Sequence, residues 1–324
     1  MRPPETTAGR LVRTFERRVM ASPLRMTLVL PQGSPASSID PDAAWAAVSE
    51  EFDAVDLALS RFRDDSEVTA LNRLARGSPV PVGHRLYGGL ALAQRAWRQT
   101  GGAFDPRVLA DLERLGHRGA PIGDGRPGPL SSGPWLRRNP CTWTVAIDSP
   151  VDLGGIGKGL AVRWAMGRLA RTVGVPFGPG FGALIDAGGD LAAAGLSPDG
   201  ESWSVGIEDP HGGEDSLVVV GLSRGAVCTS SIRLGRWKDP SGRLVHHLID
   251  PVTGEPGGMG LMAVTVAASD PAWAEIWSKT LFLAGPGAIG GLARARGLAA
   301  WWLGDDGELS MTPGARQMTI WSRS

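Results

Sequence analysis

Lys158 stands in DLGGIGKG at 152–159, a run that follows a strand-like segment and opens a helical one. Glycines there let a ligand approach the backbone, free amides at a helix start attract anions, and the ammonium adds a point charge. The run lacks the Gly-Lys-Ser/Thr of a P-loop, because Gly159 follows Lys158, so phosphate binding stands beside a plain packing turn. Two adjacent histidines, His246 and His247, end a strand before the turns of HHLIDPVTGEP at 246–256. A histidine so placed suits proton transfer or is structural. Asp105, in TGGAFDPRV at 100–108, follows a Gly-Gly break and precedes Pro106; that spacing fits a helix N-cap as well as a ligand contact. ALIDAGGDLAAAG at 183–195 runs a strand into Gly-Gly-Asp, which is a site loop or a bend where another backbone packs closely.

The surrounding pattern supplies elements to hold these groups. Met26 to Leu30 reads as a strand. Asp40 and Pro41 start a helix whose apolar residues Trp45, Val48, Phe52, Val55 and Leu59 recur in steps of three and four. A second helix runs from about His84 to Arg98, and a third from Ile156 to Val173. Residues 116–141, rich in Gly, Pro and Arg, read as a long surface loop or insertion. Strands are expected at 142–147, 183–185, 203–207, 217–221, 227–229, 245–249, 263–267 and 299–303, with helices at 272–282 and 288–296. Helices and strands do not alternate strictly, which indicates an α+β fold of mixed or antiparallel sheets with packed helices. Residues 1–18 read as a flexible basic lead-in, and 19–324 as one domain.

Composition removes several function classes. Lys+Arg and Asp+Glu both number 33 in 324 residues, so there is no basic excess for general binding to nucleic acid or anionic membrane. With 42% hydrophobic and 20% charged residues the chain can bury a sizeable core. Only Lys158, Lys238 and Lys279 among the basic residues are lysines, so a lysine stands out against an arginine background. Two cysteines, Cys141 and Cys228, form no disulfide framework and read as small buried hydrophobes. No secretory signal or membrane span is visible, and the expected location is cytoplasmic.

Six ordered blocks, SRFRDDSEVTALNRL at 60–74, GGAFDP, DLGGIGKG, ALIDAGGD, AVCTSS at 226–231 and HHLIDPVTG, together resemble the ApbE-type flavin transferases over about residues 20–285. The resemblance implies a T-fold-like architecture. It implies an enzyme that transfers the FMN moiety of FAD to a Ser or Thr hydroxyl of an acceptor protein and releases AMP, assisted by Mg2+ at the pyrophosphate. Met20 matches a flavin-site methionine, although Ala21-Ser22 departs from the usual Gly-Thr. Phe62 matches the aromatic that covers the isoalloxazine, against the alternative of a core Phe at a helix end. Ala103, Phe104 and Asp105 match the segment that holds the flavin through backbone and carboxylate. Asp152, Lys158, Asp190 and Ile249 match further FAD contacts, with Lys158 near the phosphates. His247 matches the distinctive histidine that deprotonates the acceptor hydroxyl or orients phosphate.

The cation positions depart from the pattern. Gly155 offers only a carbonyl where a metal ligand can stand, Glu275 and Lys279 replace an Asp and a Thr, and Ser278 sits where some members carry a second Asp. Glu275 and Lys279, four residues apart on a helix, can pair as an ordinary surface salt bridge. The sharper expectation is that the Lys279 ammonium replaces the metal, since a cation in the pocket repels another. These changes leave two alternative activities, a non-catalytic FAD-binding protein and an FAD pyrophosphatase.

Overall fold

The computed structural model describes residues 5–7, 10–31, 39–74, 76–117, 119, 133–174, 176–178, 181–213 and 215–323. In chain order these form β1 (Glu5–Thr7), β2 (Arg10–Val19), β3 (Ser22–Pro31), α1 (Pro41–Leu59), α2 (Glu67–Arg73), β4 (Val80–Pro81), α3 (His84–Gln99) and α4 (Leu109–Arg114). Next come β5 (Leu136–Asn139), β6 (Thr144–Ile147), α5 (Gly157–Val173), β7 (Gly182–Ala187), β8 (Asp190–Gly195), β9 (Trp203–Glu208), β10 (Ser216–Leu222) and β11 (Arg224–Ser231). The remainder is β12 (Arg236–Lys238), β13 (Leu244–His246), β14 (Leu261–Ala268), α6 (Pro271–Ala284), α7 (Pro286–Ala295), β15 (Ala299–Gly304), β16 (Leu309–Met311), α8 (Pro313–Met318) and β17 (Thr319–Ser322).

Nine strands join in the order β1-β2-β3-β7-β8-β11-β14-β15-β16, and every neighbouring pair is antiparallel. The fold is α+β, as the unalternating pattern indicates. Side-chain alternation divides the sheet into two faces. On one face Leu24, Met26, Leu28, Ala183, Ile185, Ala226 and Cys228 pack against α1, α3, α5 and α6. On the other face Leu191, Ala193, Val227 and Trp301 meet the inner face of a second sheet, β17-β10-β9. Central strands covered on both faces read as near-continuous apolar runs, which is why most of them are legible in the sequence. No described helix is long and apolar enough to cross a membrane.

Two expectations need correction. Of the flexible lead-in expected at 1–18, residues 1–4 and 8–9 lie outside the described residues, but 5–7 form β1 and 10–18 belong to β2, which pairs with β3 from Arg10↔Pro31 to Val19↔Ser22. Its arginines lie toward solvent or in ion pairs such as Arg17 with Asp53, so they do not oppose strand formation. In the 116–141 segment, 118 and 120–132 lie outside the described residues, but its end is the strand β5 on β6, preceded by the buried Trp135.

Candidate functional site

A cavity of about 550 Å³ opens where the start of α5, the β7–β8 turn, the end of β11 and the segment after β13 meet. Among its lining residues are Phe62, Ala103, Phe104, Asp105, Asp152, Gly155, Lys158, His247, Ile249, Glu275 and Lys279. Eleven of the residues singled out from the sequence therefore converge on one space. Met20, Asp190 and Ser278 are not among its lining residues. Met20 Cε lies 3.4 Å from where a side chain on Gly157 would begin.

The turns explain the glycines. Gly188 and Gly189 have φ of 68° and 91° and join β7 to β8 as a two-residue hairpin, which requires the left-handed region at both positions. Among the described residues no other backbone packs on either glycine, so ALIDAGGD is a turn that borders the cavity and not a bend under a closely packed chain. Met20 and Ala21 make the equivalent β2–β3 turn with φ of 49° and 59°, without glycine. Gly159 permits a close crossing of α5 and α6, since a Cβ there would lie 2.7 Å from Ala272 Cα and Pro271 O.

Charges cluster at the start of α5. Lys158 Nζ pairs with Asp190 Oδ2. Burial works against the lysine charge, but the Asp190 and Glu275 carboxylates outweigh it and hold the Lys158 pKa above its ordinary value. Lys279 Nζ lies 3.2 Å from Glu275 Oε1, and the amide of Gly159 donates to Glu275 Oε2 at 2.8 Å. The DLGGIGKG helix start thus spends one of its amides on a carboxylate of the protein itself. Glu275 is fully buried, so the surface salt bridge expected at 275 and 279 is instead an interior pair. Burial pushes the Glu275 carboxyl above its usual range, and Lys279 opposes that shift. Cys228 lies against this cluster with Sγ 3.3 Å from Pro271 O; burial raises its thiol pKa well above normal, which makes it inert. Cys141, by contrast, is exposed.

Gly155, Glu275, Ser278 and Lys279, which the resemblance led one to expect at a cation site, do not fit a divalent ion. Both Glu275 carboxylate oxygens are engaged, Ser278 Oγ donates to Glu275 O at 2.9 Å and lies 2.7 Å from Ser230 Oγ, and Gly155 has no side chain. Asp190 Oδ1, also buried, has no hydrogen-bond partner among the described residues, but it is a single oxygen beside an ammonium. Among the described residues no group of three or more His, Cys, Asp or Glu is placed to hold a metal.

His247 is positioned by backbone. Its ring Nδ1 lies 3.3 Å from Gly235 O, an atom that only accepts, so Nδ1 carries the proton and Nε2 is the basic nitrogen. Burial first, then the Lys279 charge, lowers the His247 pKa to about 4. Gly235 is essential to this approach, because a Cβ there would lie 2.0 Å from Nδ1. Nothing in the sequence pattern marked Gly235.

Phe62 is 57% exposed, which removes the core-Phe alternative. The Arg61 guanidinium sits 4.4 Å from its ring centre, and the His117 ring meets its edge at 5.8 Å. Arg61, 1% exposed, also binds Asp152 Oδ2 at 2.8 Å and touches His117 Nδ1. Asp152 in turn accepts from the amide of Gly154 at 2.6 Å. The sequence reading missed Arg61 and His117; in an arginine-rich chain one buried arginine carries no distinguishing signal. Asp105 caps the turn at Pro106–Val108, accepting from Arg107 N at 2.9 Å, and its carboxylate is held by the buried Arg107 guanidinium at 2.6 Å. The N-cap reading of Asp105 is therefore correct, and the same carboxylate borders the cavity.

Comparison with known proteins gives a consistent result. The model of the ApbE family matches residues 20–302. The FAD:protein FMN transferase of Treponema pallidum is 30% identical over 74% of this chain and 72% of its own. That of Klebsiella pneumoniae is 27% identical over 82% of this chain and 78% of its own. The crystal structure of the flavinyl transferase ApbE of Pseudomonas stutzeri, in its apo form, superposes with a TM-score of 0.76 at 25% identity, covering 95% of this chain and 97% of that one.

Proposed function

Because the chain belongs to the ApbE family, we propose that it transfers the FMN part of FAD to a Ser or Thr hydroxyl of an acceptor protein. The hydroxyl oxygen attacks the FMN phosphorus, the bond to the bridging pyrophosphate oxygen breaks, and AMP leaves with those electrons. Phosphoryl transfer asks the protein mainly to position groups and offset charge. The observation that carries the reading is the meeting in one cavity of two aromatic rings, a helix-start lysine and a histidine with a free basic nitrogen.

In this reading the exposed face of Phe62 covers the flavin ring, with Phe104, Ala103, Asp105 and Ile249 bordering the same space. Lys158 sits beside the diphosphate, and Asp190 holds its ammonium in place. Arg61 and Asp152 fix the loop that enters α5. His247 Nε2 takes the acceptor proton; at a pKa of about 4 it is neutral and ready at ordinary pH. Met20 supports the start of α5 from behind, and residues 19–324 act as one catalytic domain. FAD is the substrate, and magnesium has no part in these steps.

The test is incubation with FAD and a candidate acceptor, read by in-gel flavin fluorescence and by mass spectrometry of nucleotides. The expected products are a flavin-labelled protein and AMP. Free FMN with AMP and no labelled protein would identify a pyrophosphatase, and FAD bound unchanged would identify a binder without chemistry.

A further inference from the structure

We infer that the Lys279 ammonium is a built-in counter-cation for the FAD diphosphate, so that this protein binds FAD without a divalent metal. The inference rests on the transferase reading of the cavity. Four charges meet beneath that cavity, Lys158 with Asp190 and Lys279 with Glu275. The two pairs cancel, so neither Asp190 nor Glu275 offers an entering divalent cation an uncompensated carboxylate. Exposure is unequal within each pair. The lysine side chains are 27% and 16% accessible, and their carboxylate partners 1% and 0%. Within each pair the lysine is the more accessible member, so at this part of the wall the two ammonium groups are what a ligand meets first.

Backbone shape agrees with charge. A Cβ on Gly155 would lie 3.5 Å from both Cδ and Cε of Lys279 and 3.1 Å from Phe104 Cε2. The Lys279 stem thus passes over Gly155 at ordinary contact distance, and the missing side chain leaves space chiefly for the Phe104 ring. Glu275, whose second oxygen is fixed by the Gly159 amide, holds that ammonium at a defined place on α6.

The test is a titration of FAD fluorescence quenching with the intact protein, in EDTA and in excess magnesium. It is joined by electron paramagnetic resonance of Mn2+ added to the protein–FAD complex. The expected result is a Kd equal within about twofold in the two buffers and no protein-bound Mn2+ signal. A Kd weaker by about tenfold or more in EDTA, or Mn2+ bound in the complex, would overturn this inference alone. Absence of FAD binding in both buffers would defeat the transferase reading and this inference with it. For Lys279→Thr, the expectation is about a tenfold loss of FAD affinity in EDTA with recovery in magnesium. Binding by that variant in EDTA as tight as the wild type removes the role of the ammonium. Should the threonine variant fail to fold, as judged by circular dichroism, Lys279→Met keeps most of the stem and takes the same measurement.

Discussion

Phe62 shows one free aromatic face to the cavity, while Arg61 and His117 steady the ring. Stacking of this kind adds roughly 0.5–1.5 kcal/mol. Phe62→Ala is therefore expected to weaken FAD binding by about twofold to tenfold with an unchanged melting temperature, as measured by fluorescence titration and thermal melts. His247 leads to a different measurement. With a pKa of about 4, its rate profile stays flat from pH 8 down to about 5 and has no inflection near the ordinary histidine value of about 6.5. A clear inflection there in kcat/KM would mean that the base is another group. Gly235→Ala tests the positioning directly. A methyl group 2.0 Å from Nδ1 must displace the imidazole, so kcat should fall by at least about tenfold while the Kd for FAD changes little. At this scale the sequence carried the site in its motif residues. The supports were hidden, because a lone Gly235 or Arg61 has no spacing to betray it.

The β2–β3 turn places Ala21 at φ 59°, where an L-residue is about 1–2 kcal/mol less favourable than glycine. Ala21→Gly is expected to stabilise the protein by roughly 1 kcal/mol, read as a higher urea midpoint at an unchanged m-value; a lower midpoint would show that Ala21 contributes contacts worth more than the relieved strain. This hairpin also shows what pattern reading could not reach. β2, RLVRTFERRV, looks like a charged tail, yet it needs only Phe15 fully inside and lets its arginines reach solvent or carboxylates. β8, DLAAAG, has no β-branched residue, because its alanines are pinched between α5 and α6 on one face and the smaller sheet on the other. Strand propensity reflects the space available to a side chain, and that space belongs to the tertiary structure. The amphipathic α1, with its Asp40 cap and Pro41, was legible because its periodicity and its cap lie within the segment itself.

Across the whole molecule, burial lowers the pKa of His117, His246 and His247 to about 4 each. Unfolded histidine titrates near 6.5, so the unfolded chain binds more protons between those values. Their contribution to stability is complete above about pH 6.5 and is lost as pH falls toward 4. Asp111 and Asp186, whose carboxyls burial pushes up, work in the opposite sense at the acid end. The informative comparison is thus wild type against His246→Asn in urea unfolding at pH 7 and pH 5. Wild type should lose more stability than the variant over that interval, and equal losses would contradict the assigned shift.

β3 has a temporal consequence as well. Leu24, Met26 and Leu28 are sealed from water in the finished protein, and β3 pairs with β2 on one side and, on the other, with β7, from Leu24↔Ala187 to Val29↔Gly182. Ribosomes add about 5–20 residues per second, so the open edge of β3 waits roughly ten to thirty seconds for the strand that pairs with it. During synthesis it is the natural client of a nascent-chain chaperone, and expression at lower temperature should favour the soluble product.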